Sequence, residues 1–191
     1  CAPPADPAPA PTHPTSHRLD ALWTRGTRCG ALVRSPRGEV LYIADEDWEM
    51  LRVVPLPLEE ASPEDAATAH PLPGPPAQVL ALDDRVLTIR EPSLLVALDP
   101  ADLHERQRVA LPLDAWGVAV TEDERTALVT SPWANQVSAV DLASGEVRWS
   151  VATKREPRGV VVIDDRAYVT HMVGSDVTRI DHSGGEPTVT S

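Results

Sequence analysis

The chain is 191 residues long and carries 29 acidic against 17 basic side chains, a formal charge of −12. That balance argues against a nucleic-acid partner and against electrostatic attraction to anionic lipid, since a phosphate-rich surface would be repelled. No stretch approaches the ~18 consecutive apolar residues of a membrane span, so a hold on a membrane would have to come from something other than a helix.

From residue 1 to about residue 17 the chain reads CAPPADPAPAPTHPTSH. It has nothing apolar to fold around, and its prolines make it a semi-rigid polyproline spacer. A chain that opens on Cys in place of Met is either processed or cut. Cys1 with its proline-rich sequel resembles the mature end of a bacterial lipoprotein, in which the signal peptide is removed just before a lipidated cysteine. The resemblance implies lipidation of Cys1, a place in the bacterial cell envelope on the outer-membrane, periplasmic or surface side, and membrane contact only through that lipid. The other reading is a cut that happens to fall at Cys. RLDALW, Arg18 to Trp23, is expected to open the ordered part of a domain spanning 18–191.

The rest of the chain repeats. DAWGVAVTEDERTALVTSPWANQVSAVD lies over EPRGVVVIDDRAYVTHMVGSDVTRID with Gly117 on Gly159, Asp123 on Asp164, Thr130 on Thr170 and Asp141 on Asp181, offsets of 40 to 42 residues. PAQVLALDDRVLTIREPSLLVALD is an earlier copy, matching through Asp83 and Asp99. CGALVRSPRGEVLYIADEDWEMLRVVPL, opening at Cys29, is a weaker first copy, interrupted by a Pro- and Glu-rich insertion from Pro55 to Pro76. The repeats run about 29–73, 74–114, 115–155 and 156–191, and a period near 40 is the mark of a propeller array whose units must bury their faces on each other.

Within a unit, GVAVT reads as an inner strand packed on both faces, closed by the acidic turn Glu122 to Glu124. ALVTS and QVSAVD follow as β-branched strands around the Pro132 to Asn135 loop. ASGEVRWSV then gives a Ser144-Gly145 turn and an outer strand alternating Val147, Trp149 and Val151 against Glu146, Arg148 and Ser150. Apolar runs of about five residues are too short for helices. The expected class is all-β: a β-propeller of about four four-stranded blades forming a partial, open ring. CGALV is taken as one apolar inner strand holding Cys29 as a buried, inert thiol.

The last repeat, with Pro157, Gly159, Tyr168, Val169, Thr170 and Asp181 in place, resembles the repeat of the YVTN family of bacterial β-propellers. His171 stands where that family has Asn, and Asp164-Asp165 where it has Asp-Gly. Such propellers are seven- or eight-bladed, which implies that about four blades of ~41 residues make half a turn. The open ends then require either further blades after Ser191 or a second chain that closes the ring.

Candidate sites follow from the meander. Loops leading into each inner strand, and those joining second to third strands, share one face. That face collects Trp48, Arg90, Trp116, Trp133, Arg158, His171 and Met172, while the opposite face collects acidic turns. Tryptophan and arginine on exposed loops are the usual anchors of binding surfaces, so Trp116, Trp133 and Arg158, with His171, are taken as ligand-binding side chains sharing one recess. The competing reading is that these tryptophans plug gaps between blades. Asp45, Asp47 and Glu49 lack the glycine that a calcium loop needs and read as a solvated acidic loop. His171 and His182 fall at opposite ends of one blade, so no metal is assigned. No catalytic residue and no cofactor is assigned either, because no C-x-x-C-H, nucleophile elbow or phosphate loop is present.

Three functions remain open. The leading one is a surface-anchored binding or scaffold module for a protein, glycan or small ligand. The second is the propeller part of a redox protein, because propellers resembling this family occur joined to cytochrome c peroxidase-like domains. The third is a lactonase-like hydrolase. If Cys1 is the anchor, Cys1→Ser is expected to move the protein from the membrane to the soluble fraction on cell fractionation; unchanged membrane association would count against the anchor.

Overall fold

Residues 29–57, 66–184 and 186–190 are described by a computed structural model. Cys1, the tether to residue 17 and the Arg18 to Trp23 segment lie outside the described residues, as does the middle of the Pro- and Glu-rich insertion. Strand β1 (Cys29–Gly30) is followed by four meanders. Blade 1 is β2 (Leu32–Arg34), β3 (Val40–Asp45), β4 (Met50–Pro55) and β5 (Thr68–Pro71); blade 2 is β6 (Pro76–Ala81), β7 (Val86–Arg90), β8 (Leu94–Leu98) and β9 (Glu105–Ala110). Blade 3 is β10 (Val118–Val120), β11 (Thr126–Ser131), β12 (Gln136–Asp141) and β13 (Val147–Ala152); blade 4 is β14 (Pro157–Ile163), β15 (Arg166–His171), β16 (Val177–Asp181) and β17 (Thr188–Thr190). Every pairing is antiparallel, and the four sheets form an unclosed β-propeller ring.

Three apolar layers hold adjacent blades together. Val33, Tyr42 and Leu51 meet Val79, Val86 and Val96 between blades 1 and 2. Leu87, Ile89 and Leu95 meet Val118, Val129 and Val140 between blades 2 and 3. Leu128 and Val137 meet Ala167, Val169 and Ile180 between blades 3 and 4, with Trp149 and Val151 packed alongside. The alternation of side chains along each strand supplies both layers of a central blade from one run of apolar residues. The other face of blade 4 is open, and Val161, Ile163 and Val177 are exposed on it.

Two readings of the sequence are corrected here. CGALV is not one strand: it breaks at Ala31, so that Cys29 and Gly30 pair with Leu80 and Val79 of blade 2 while Leu32 to Arg34 pair within blade 1. The run bridges two sheets, and blade 2 gains a fifth strand on its inner edge. In β13, Trp149 and Val151 do face blade 4, but the register shifts between Ala139 and Val140. That bulge sets Val147 opposite Val140, leaving it exposed, because one extra residue reverses the side to which the strand points.

The glycine and threonine of the repeat have a joint role. The Gly117 amide donates to Thr130 Oγ1 at 2.8 Å, and the same hydroxyl donates to Arg158 O of blade 4 at 2.8 Å. A Cβ on Gly117 would stand 2.2 Å from that carbonyl, so only glycine allows the two inner strands to approach this closely. In blade 4 the Gly159 amide likewise donates to Thr170 Oγ1 at 3.2 Å, here exposed.

The repeat aspartate also has a structural task. On the lower face, where third strands end, Asp141 Oδ1 accepts from the Ala143 and Ser144 amides at 2.8 and 2.9 Å, and Oδ2 pairs with Arg148. Asp99 does the same with the Ala101 amide and Arg106, and Asp181 takes the Ser183 amide and hydroxyl. Of the turns on this face that the sequence suggested were solvated, Asp83-Asp84 has Asp84 paired with Arg85, and Glu122 to Glu124 has Asp123 Oδ1 accepting from the Thr121 hydroxyl and the Arg125 amide. The bonds to Asp141, the Ser144 amide foremost, draw its carboxyl down to about 2.

Thr130→Val is expected to lower stability by about 1–3 kcal/mol in urea unfolding, since it leaves a buried amide and carbonyl unpaired, and Thr170→Val by clearly less because water reaches its partners. Equal losses would refute the cross-blade role. Asp141 is depressed in the folded state, so its contribution is present above the ordinary carboxylate range and is lost as pH falls towards about 2. Asp141→Asn should therefore flatten the acid limb of the stability profile between about pH 4 and pH 2; an unaltered limb would show that the carboxylate is not the group titrating.

Candidate functional site

The upper face, on which inner strands begin, is built from two kinds of loop that hold each other. The tip joining β7 to β8 presents Ser93, whose Oγ accepts from the Asp114 amide at 2.7 Å and the Ala115 amide at 3.4 Å. One blade further on, Asn135 Oδ1 accepts from the Glu156 amide at 2.9 Å. Asp114 and Glu156 stand three residues before Gly117 and Gly159, and both adopt the left-handed backbone, with φ of 62° and 53°. Such a conformation is unfavourable for a residue with a side chain and persists only where the surroundings fix it. The side-chain oxygen of the preceding blade's tip supplies that constraint.

Held in this way, the loops of blades 1, 2 and 3 enclose a cleft of about 320 Å³. Trp116 and Trp133 line it from blade 3, with Leu113 and Asp114 from the loop before β10. Glu91 and Ser93 line it from blade 2, and Glu46 from the β3–β4 turn of blade 1. Trp133 is 77% exposed and free to offer its ring, whereas Trp116 is half-buried. The Arg158 guanidinium lies over the Trp116 ring, 3.6 Å from its centre. Because Thr130 fixes the Arg158 carbonyl, the stitch between blades 3 and 4 also anchors the backbone from which that cation reaches the tryptophan. The pairing contributes about 0.5–2 kcal/mol and fixes the ring plane.

The cleft is acidic. Burial pushes the Asp114 carboxyl above its ordinary value; the Arg158 guanidinium opposes that shift and Glu91 adds to it. No hydrogen bond or ion pair among the described residues reaches the side-chain carboxylates of Glu46, Glu91 or Asp114.

The structure thus brings Trp116 and Trp133 into one recess, with Arg158 behind Trp116 and not in the lining. It does not bring His171 there. His171 Nδ1 lies 2.9 Å from Arg155 O and Nε2 lies 2.8 Å from Thr178 Oγ1, so both ring nitrogens are engaged between blades 3 and 4. Trp48 and Met172 are exposed at other tips of the upper face. Arg90 is corrected outright: it is 2% exposed, because register places it on the face of β7 that bears Val86 and packs on blade 1. Its Nη2 stands 4.0 Å from Glu105 Oε2, while Nε and Nη1 have no hydrogen-bond partner among the described residues, and burial lowers its pKa. Asp45 is held by the Trp48 amide at 3.2 Å and Arg52 Nε at 2.6 Å, which makes it a turn cap.

Sequence reasoning missed Glu46, Glu91, Ser93 and Asp114. The one available signal was the alignment of Asp114 with Glu156 at the repeat offset. On the lower face Asp99, Asp102 and His104 bring ligating atoms within 4.8 Å of one another, but they are committed to each other, to Arg106 and to turn amides.

The chain matches no protein-family model and no curated protein. Solved structures are similar to it in shape. Hydrazine synthase of Kuenenia stuttgartiensis superposes with a TM-score of 0.67 at 20% identity, over 83% of this chain and 48% of that one. Apo AztD from Citrobacter koseri gives 0.59 at 18% identity, over 84% and 45%. A functionally unknown protein from Desulfotomaculum acetoxidans DSM 771 gives 0.70 at 14%, over 87% and 56%. The chain spans about half the length of each. These likenesses show the β-propeller fold and nothing finer. No helix among the described residues is long and apolar enough to cross a membrane.

Proposed function

We propose that this chain is a binding module of a bacterial cell envelope, tethered through a lipid on Cys1, and that it takes a small molecule in the cleft of blades 1, 2 and 3. The observation that carries the reading is the convergence of Trp116 and Trp133, two residues of blade 3, on a recess of about 320 Å³. Small-molecule sites are commonly concave and apolar, with a few placed polar groups and a volume of about 300 Å³ or more. Here the apolar wall is Leu113 and the two indoles, and the polar groups are Ser93 and the carboxylates. The tether is supported by the sequence at Cys1 and by the long proline run behind it.

We further read the repeats as of YVTN type. Gly117 with Thr130, and Gly159 with Thr170, occupy that repeat's glycine and threonine positions and bond as a pair.

The experiment is a titration with the neutral environment-sensitive dye N-phenyl-1-naphthylamine. Trp133→Ala is expected to weaken dye binding about tenfold, as for an aromatic anchor, while leaving urea stability within about 0.5 kcal/mol because the ring is exposed. Dye binding unaffected by Trp133→Ala would place the site elsewhere and sink the reading.

A further inference from the structure

The lower-face and upper-face carboxylates differ in a way that points to a ligand. Asp99, Asp123, Asp141 and Asp181 are each held by turn amides or hydroxyls, and their carboxyls are lowered accordingly. Glu46, Glu91 and Asp114 have no such partners among the described residues, yet they rim one cleft. No Lys, Arg or His lines it. The nearby cation, Arg158, stands over the ring of Trp116 outside the lining, where it offsets only part of the penalty on Asp114. Burial of negative charge is unfavourable, and the upward shift of Asp114, which the Arg158 guanidinium opposes without cancelling, is the expression of that penalty. An arriving cation would relieve it.

The chemistry of the wall says which cation. Among the described residues the ligating atoms of Asp99, Asp102 and His104 converge within 4.8 Å, whereas Glu46, Glu91 and Asp114 make no such group. Three carboxylates dispersed around the rim cannot together form the tight oxygen shell a metal ion demands. They can surround a larger charge. Between them stand Leu113 and Trp133, and an indole face is the best aromatic partner for an ammonium group. Trp116, already covered by a guanidinium, is the poorer of the two rings for this purpose, and Trp133 is the exposed one.

We propose that the cleft binds a small organic ammonium ion, its positive end on the face of Trp133 among Glu46, Glu91 and Asp114 and its apolar body against Leu113 and Trp116. The inference rests on the cleft being a binding site and adds the charge of what enters. The net charge of −12 works in the same direction, raising the local concentration of cations and their rate of encounter at low ionic strength.

The test compares choline with its neutral carbon isostere, 3,3-dimethylbutan-1-ol, by calorimetric titration at pH 7 and low salt. Choline should bind at least tenfold more tightly than the isostere. Glu91→Gln with Asp114→Asn should reduce that preference to less than threefold. Glu46→Gln, on a different blade, should reduce it in the same sense and serves if the double variant does not fold. Lowering the pH should weaken choline binding from a higher pH than ordinary carboxylates would allow, because Asp114 protonates early. Absence of choline binding, or a preference that the carboxylate variants leave unchanged, would overturn the proposal. If the isostere binds as tightly as choline and Trp133→Ala abolishes both, the cation is wrong and the cleft remains a binding site. If choline binding survives Trp133→Ala, the cleft itself is wrong.

Discussion

A single hydroxyl, that of Thr130, sets the spacing on which blades 3 and 4 depend. It accepts from Gly117 in its own blade and donates to Arg158 in the next, and the approach it enforces leaves no room for a side chain at residue 117. Apolar layers between blades are non-directional and would tolerate small slides. A bridging hydrogen bond between two inner strands does not. The register of blade 4 on blade 3 is thereby fixed, and with it the backbone at residue 158, whose guanidinium then holds Trp116 in the plane that forms one wall of the cleft. A contact buried between blades positions a side chain on the surface.

The same sheets treat negative charge in two opposite ways. At the lower face the third strands of blades 2, 3 and 4 run into an aspartate whose oxygens are absorbed by the turn that follows and, in blades 2 and 3, by an arginine seven residues on. These carboxylates are structural, and their charge is neutralised where it arises. At the upper face the acidic residues belong to tips and leading loops, whose amides are already satisfied by Ser93, Asn135 and neighbouring carbonyls. Among the described residues no hydrogen bond or ion pair reaches the carboxylates of Glu46, Glu91 or Asp114.

What the sequence revealed depended on whether a residue acts within its own repeat. Gly117, Thr130 and Asp141 could be aligned with Gly159, Thr170 and Asp181 because each performs the same local task in its blade, and recurrence made the blades, the open ring and the two faces legible. Trp116 and Trp133 were legible for a related reason, since both sit on loops whose side of the sheet follows from strand alternation. The carboxylates were not, because only the packing of blades 1, 2 and 3 brings the tip residues Glu46 and Glu91 together with Asp114 of the loop before β10. Arg90 was misplaced because its position at a strand end suggested a loop, whereas parity along β7 turns it onto blade 1. His171 occupies the expected face, but its two ring nitrogens already serve the blade 3 to blade 4 junction. The Cys29 run misled through its continuous hydrophobicity, which cannot show that the chain changes sheets at Ala31.

The middle of the cleft is formed by a blade that departs from the pattern of blades 3 and 4. Blade 2 has no glycine to place against its neighbour, and its threonine, Thr88, donates to Gln78 O of its own blade at 2.9 Å and not across a junction. Its upper tip is Glu91-Pro92-Ser93, where blades 1, 3 and 4 carry the bulky Trp48, Trp133 and Met172. A tip without a large side chain leaves space, and Trp133 of the next blade borders that space instead of packing into it. Blade 2 also buries Arg90 with two of its nitrogens unpaired among the described residues, a local conflict that an array selected for stability alone would have no reason to retain. Blade 2 thus departs from the repeat at the tip and strand that form the middle of the site. In a fold whose stability comes from repetition, the blade freed from the common pattern is the one able to shape a recess.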